Sequence, residues 1–394
     1  MEKKYSLRYV LSLMLAASAL TCLLVTAVFL RSLNKNNSNT PNVREFATLL
    51  QMIKDLYIGE YDEDDISADA MRAAVWSLGD DWSYYLSPEE YAFFMDSSNN
   101  RFAGIGVGVS TDEETGGIYV DYVYENSPAE VAGILKDDII IAVDGEDVTG
   151  MTVDEMRTVL SRSIGEKAEL TILRPDESIV TLTVEYDYVY INPVSFVMLD
   201  DGIGYISITN FDYGAAESFI AAIDELIADE ARAFIFDVRY NGGGRVVEMT
   251  EMLDYVLPEG EIFISVDRAG TESVTLSGPE MIDFPCVVLV DANSYSAAEY
   301  FAATLREYEY ATIVGEQTTG KSRMQTTYTM PGGGALHIST DQYVTKNRVK
   351  LHDVGGLTPD YEITLTDEEY SLFLSRKLEK DEDPQLLKAI SLLG

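Results

Sequence analysis

Apolar residues recur at helical spacing early in the chain and then give way to short alternating runs. Phe46, Leu49, Leu50, Ile53, Leu56 and Tyr57 fall three or four positions apart, so residues 43–100 read as mainly helical. Ser87-Pro88-Glu89-Glu90 is a helix start: a serine cap, proline in the first turn, and acids at the positive end of the helix dipole. Between 101 and 188 the period becomes two. Residues 118–124, 139–143, 168–173 and 179–185 read as strands, with one helix over 152–162 that turns Val153, Met156, Val159 and Leu160 inward. From Gly202 onward strands and helices alternate. A strand at 203–209 precedes an amphipathic helix at 215–228, a buried strand at 233–238 and a glycine turn at 239–244. A helix running through Val256, a strand at 287–290 and a helix from Ala297 to about Tyr308 follow. That succession predicts an α/β core whose strand ends carry the chemistry. The end of the chain, 383–393, reads as a short helix, and no internal repeat is present.

Residues 9–30 are apolar and uncharged, long enough to cross a bilayer, and Lys3, Lys4 and Arg8 precede them. The expectation is an uncleaved anchor with the short N-terminus cytoplasmic and the rest outside. A cleaved signal peptide is the competing reading, with a shorter hydrophobic region and a small-residue site that does not follow here. The 67 acidic and 28 basic residues give a formal net charge of −39, which argues against nucleic acid or anionic lipid as a partner. The two cysteines, Cys22 in the apolar run and Cys286 in a predicted strand, cannot pair within one folded domain. No Cys/His cluster has metal-ligand spacing, and no cofactor is expected.

The chemistry concentrates in two short stretches. Ser294-Tyr-Ser-Ala-Ala-Glu299 puts a serine at a strand-to-helix junction, and Gly320-Lys-Ser-Arg-Met-Gln325 follows about 25 residues later. A hydroxyl needs a base to become a nucleophile, and a neutral lysine can be that base. Only His337 and His352 are available to a histidine mechanism. Lysine serves as base near neutral pH only when its pKa is lowered, usually by desolvation. Gln325, four residues after Lys321, shares its face and can accept from the amine without adding negative charge. Residues 315–322 also match the letters of a phosphate-binding loop. Such a loop must open a helix, whereas 325–330 reads as a strand, which argues against nucleotide.

Asn126-Ser-Pro-Ala-Glu-Val-Ala-Gly133, followed by Asp137-Asp-Ile-Ile140 and Val143-Asp-Gly145, resembles a PDZ domain. In that fold a peptide adds as a strand and its carboxylate rests on backbone N–H groups of a glycine-containing loop. The expected contacts are Phe102, Ala103, Gly104, Ile105 and Gly106 in the loop, Val107 on the receiving strand 105–109, and Val153 and Met156 on the helix.

With Asp81-Trp-Ser-Tyr-Tyr-Leu-Ser-Pro-Glu-Glu-Tyr91, Asp237-Val-Arg-Tyr-Asn-Gly-Gly-Gly244, the serine run, Val314-Gly-Glu-Gln-Thr-Thr-Gly-Lys321 and Gly355-Gly-Leu-Thr-Pro-Asp360 in order, the chain resembles the C-terminal processing peptidases. The resemblance covers nearly all of it outside the apolar run. It implies a serine endopeptidase that binds free protein C-termini through its PDZ domain. It places the nucleophile on Ser296, the general base on Lys321 and the orienting amide on Gln325. Ser294 is the rival nucleophile, read here as a turn or capping serine. The oxyanion donors would be the N–H groups of Ala297 and of Gly243 or Gly244. Family members often form homo-oligomers, which these residues leave open. Gly242 stands where the family often has proline, Ala298 where it commonly has a second serine, and Ser322 where glycine usually follows the lysine.

The expected organisation is α/β and multidomain: cytoplasmic residues 1–8, a transmembrane helix 9–30, a linker 31–42 and a helical segment 43–100. A PDZ β-domain 101–188, a peptidase core 189–366 and a helical tail 367–394 complete it. The expected location is the cell membrane, single-pass, with the catalytic portion extracytoplasmic. The alternative is a catalytically inactive PDZ adaptor that binds protein tails. Thioester chemistry on an acyl-CoA-type core is less compatible with the PDZ motifs.

Overall fold

The computed structural model describes residues 41–394, in two compact units that divide between Ile66 and Ser67. The first contains the helix Pro41–Leu56, whose apolar spacing was legible in the sequence. The second holds everything the site requires.

Six strands form the core sheet of the second unit. Ile203–Ile208, Ala233–Asp237, Cys286–Val290, Ala311–Gly315 and Tyr361–Glu362 run parallel in chain order, and Val194–Leu199 is antiparallel at the edge. Because successive side chains of a strand point to opposite faces, Phe234 and Phe236 enter one hydrophobic cluster while Ala233 and Ile235 enter the other. Strand order that rises with the sequence places the crossover helices on one face. Ala215–Ala228, Val246–Val256 and Ala297–Glu307 accordingly share the Phe236 cluster, while the tail helix Pro384–Leu393 covers the opposite face through Leu386 and Ala389. Arg239 fastens that tail, pairing with Asp237 at 2.6 Å, Asp383 at 2.8 Å and the Gln385 side-chain carbonyl at 2.9 Å, all buried.

A second sheet joins Tyr84–Leu86, Ala335–Val344, Glu261–Val266 and Glu272–Leu276, and Arg323–Thr329 pairs with Ala335–Val344. The domain with the PDZ motifs has a sheet and a hydrophobic cluster of its own. Val107–Thr111, Ile118–Val123, Ile139–Val143, Lys167–Leu173 and Ile179–Glu185 follow one another across its sheet, leaving Val107–Thr111 at the edge. The helix Val153–Val159 packs beside that edge strand.

The transmembrane helix expected at residues 9–30 falls outside the described residues. Among the described residues no helix is long and apolar enough to cross a membrane. The fold class is therefore corrected to a helical N-terminal segment, the β-domain that carries the PDZ motifs and an α/β core, without the transmembrane helix. The single-pass membrane placement with an extracytoplasmic catalytic portion is withdrawn with it. The phosphate-loop reading is also excluded: Lys321 and Ser322 lead into the strand Arg323–Thr329 and no helix opens there.

Candidate active site

The strand Cys286–Val290 is buried along its whole length, and the chain leaves its carboxyl end through a tight loop into the helix Ala297–Glu307. Ser296 is the residue before that helix and adopts φ 59° and ψ −124°, a region L-residues rarely occupy. A strained residue between a strand and a helix N-terminus pushes its side chain outward, toward the positive end of the helix dipole. Ser294, two residues earlier, is fully buried. Its hydroxyl donates to the Val238 carbonyl at 2.7 Å and accepts the Asp291 N–H at 3.0 Å, the bonds of a structural serine.

Ser296 opens onto a cavity of about 910 Å³ whose walls include Gly244, Ala297, Lys321, Gln325 and His337. The glycine turn meets Ser296 closely: a Cβ on Gly243, which has φ 93°, would lie 2.7 Å from the Ser296 Cβ. Gly243 donates its N–H to the Asn241 side-chain carbonyl at 2.8 Å, and Asn241 is held in turn on the Ile208 carbonyl at 2.8 Å. The N–H groups of Gly244 and Ala297 have no acceptor among the described residues. The family's proline position is explained locally, since a Cβ at Gly242 would approach the Tyr295 hydroxyl to 2.6 Å.

Lys321 is 8% exposed. Burial lowers its pKa to about 8, against the opposing charges of Asp80 and Glu299. Its Nζ lies 4.4 Å from the centre of the Trp82 ring and donates no hydrogen bond to a described residue. The expected amine–Gln325 bond is not formed. Gln325 follows a bulge in its strand, and its amide donates to the Arg323 carbonyl and the Ser339 hydroxyl, each at 3.0 Å. His337 shares the cavity, but burial and the neighbouring Lys321 push its pKa down to about 4. His352 is exposed.

Three residues that join these parts were missed in the sequence. Glu299 is fully buried and gathers the Thr318 hydroxyl at 2.7 Å and the N–H groups of Gly320 at 3.0 Å, Lys321 at 2.7 Å and Ser296 at 3.2 Å. Its carboxylate ties the nucleophile's turn to the lysine's turn, and a glutamate three positions after a cap serine was the available signal. Burial raises its pKa, opposed by those bonds. Tyr343 donates to the Lys321 carbonyl at 2.5 Å and lies beside the Ser296 side chain. Asn241 fixes the glycine turn. Glu299→Ala should lower unfolding stability by roughly 3 kcal/mol, because it strands several buried donors at once. Denaturant unfolding measures this, and an unchanged midpoint would remove Glu299 from the framework.

In the PDZ domain, Phe102, Ala103 and Gly104 belong to the strand Arg101–Gly104, which pairs with Asp187–Tyr190. Ile105 and Gly106 form the connection into Val107, and their N–H groups have no acceptor among the described residues. Val107 is half-buried, and Val153 begins the neighbouring helix. Met156 is fully buried in the PDZ core beneath the edge strand, so it forms floor rather than open wall.

Residues 202–363 match peptidase family S41, and residues 119–174 match the PDZ domain. The chain is 31% identical over 319 residues to the carboxy-terminal processing protease of Bacillus subtilis (strain 168), spanning 80% of this chain and 68% of that one. The chain belongs to the C-terminal processing peptidases. A carboxyl-terminal-processing protease of Synechocystis sp. is 29% identical over 298 residues, covering 74% of this chain and 69% of its own. A solved structure described as an S41 protease, from Bacteroides fragilis NCTC 9343, shares the fold. Its TM-score is 0.53 at 17% identity, over 85% of this chain and 92% of that one. This protein is thus a C-terminal processing serine protease with a PDZ domain, acting on peptide or protein substrates.

Proposed function

We propose that this peptidase cleaves by a Ser-Lys mechanism in which Ser296 is the nucleophile and Lys321 the general base. The carrying observation is a lysine held near a pKa of about 8 in the cavity onto which the strained Ser296 opens. Neutral Lys321 takes the Ser296 hydroxyl proton as Oγ attacks the scissile carbonyl. The N–H groups of Ala297 and Gly244 hold the resulting oxyanion. Gly244 is preferred to Gly243, whose N–H is engaged by Asn241. The protonated lysine then gives its proton to the leaving amine, and water releases the acyl group by the same route in reverse. Gln325 is assigned the orienting role, through the side-chain carbonyl that its amide bonds to Arg323 and Ser339 leave free.

The PDZ domain supplies selection. The substrate tail adds to the open edge of Val107–Thr111, and its carboxylate rests on the N–H groups of Ile105 and Gly106. Amidation removes the charge from a bond worth about 1.5–3 kcal/mol, so an amidated peptide should bind roughly ten- to a hundred-fold more weakly. Cleavage rates of one peptide with free and with amidated C-terminus, at sub-saturating concentration, decide this. Equal rates would mean that the PDZ domain does not read the carboxylate.

A further inference from the structure

We infer that Trp82 is a positioning residue for Lys321: its indole walls the amine off from a neighbouring polar pocket and holds it over the catalytic cavity. The inference rests on Lys321 as base. The Lys321 Nζ lies 4.4 Å from the Trp82 ring centre and 5.9 Å from that of Tyr295, and the two rings pack 5.5 Å apart. Trp82 lines the catalytic cavity and also a second cavity of about 250 Å³, whose walls carry Asp80, Asp81, Arg323, Lys350 and His352. Lys321 borders only the first. The indole therefore stands between a base that must lose charge and a pocket built to hold charge.

The turn that presents Trp82 is pinned on both sides. Asp80 takes the Arg323 guanidinium at 2.6 Å and the Ser83 hydroxyl at 2.5 Å, and Ser83 accepts the Ser339 N–H at 3.0 Å. The aromatic ring is held by these bonds to the sheet that carries Gln325 and His337.

Two effects of the indole oppose each other. The ring face attracts an ammonium and favours the charged form. Its bulk excludes water and disfavours that form. Burial is the largest influence on Lys321, and the net direction is downward, so exclusion of water dominates. The charges that act on the lysine are Asp80 and Glu299, which favour its charged form; His337, whose own pKa the lysine lowers, and Asp81, Asp212 and Arg245 line the same cavity. The Tyr343 hydroxyl sits on the Lys321 carbonyl, and Arg323 is paired with Asp80. All of these remain when Trp82 is replaced.

The test is the pH dependence of Ser296 acylation by a small serine-directed probe, which needs no PDZ contact. Trp82→Ala should raise the half-point by about one pH unit, since water reaches the amine. Acylation at about pH 7 then slows roughly ten-fold, and the deficit closes toward pH 10. Trp82→Phe, which keeps an apolar cover, should stay within about 0.3 unit of the parent. Trp82→Gln should behave like the alanine variant, and it decides the matter if the alanine variant does not fold by circular dichroism. A half-point that does not move, or a slowing equal at every pH, overturns the inference while leaving the base assignment standing. Undiminished acylation by Lys321→Ala overturns both.

Discussion

Ser296→Ala is expected to reduce peptide hydrolysis by about 10⁴-fold or more while leaving fold and tail binding intact. The change removes one oxygen from the residue that precedes the helix Ala297–Glu307. The helix N-terminus keeps its Glu299 bond to the Ser296 N–H, which comes from the backbone. Ser294→Ala should show the opposite pattern. Its hydroxyl joins the Val238 carbonyl to the Asp291 N–H inside the core, so stability falls and the chemistry persists in whatever remains folded. Steady-state kinetics beside thermal unfolding separates the two. Hydrolysis by the Ser296 variant at the parent rate would return the nucleophile to Ser294.

Lys321→Arg should be as inactive as Lys321→Ala, although it keeps a cation. A guanidinium stays protonated throughout the working range and cannot accept the serine proton. The parent enzyme carries the matching pH signature. A base whose proton is lost near pH 8 is mostly charged below that value, so kcat/KM should rise about ten-fold per unit at lower pH and level off above. The sign follows from the neutral form being the active one. His337, held down at about 4, would give a profile already flat at neutral pH. Substantial turnover by the arginine variant would rule out a lysine base.

Three of the five parallel strands were legible because they are short apolar runs flanked by turn residues, as in Cys286–Val290, all five residues of which are buried; Ala311–Gly315 and Tyr361–Glu362 were not assigned. The PDZ domain was legible from its turn motifs. The second sheet was less so. Of its strands, Arg323–Thr329 was anticipated, but Tyr84–Leu86, Glu261–Val266, Glu272–Leu276 and Ala335–Val344 were not. Tyr84–Leu86 finds its partner only through Ala335–Val344, far along the chain. Ser296 and Lys321 could be placed by their flanking residues. What joins them could not, because Glu299 reaches Thr318, Gly320 and Lys321 only after the sheet has brought the two turns together. Trp82 belongs to the same class, since its contact with Lys321 spans most of the chain. The apolar run at 9–30 lies outside the described residues, among which no helix is long and apolar enough to cross a membrane.

The central claim is that neutral Lys321 activates Ser296. Intact-mass measurement of a serine-directed probe adduct, across about pH 5 to 10, tests it most directly in the parent, Ser296→Ala and Lys321→Arg proteins. The account predicts a single adduct on Ser296 in the parent, forming with a half-point near pH 8, and none in either variant at any pH. An adduct that forms on Lys321→Arg with the parent's pH dependence would contradict it.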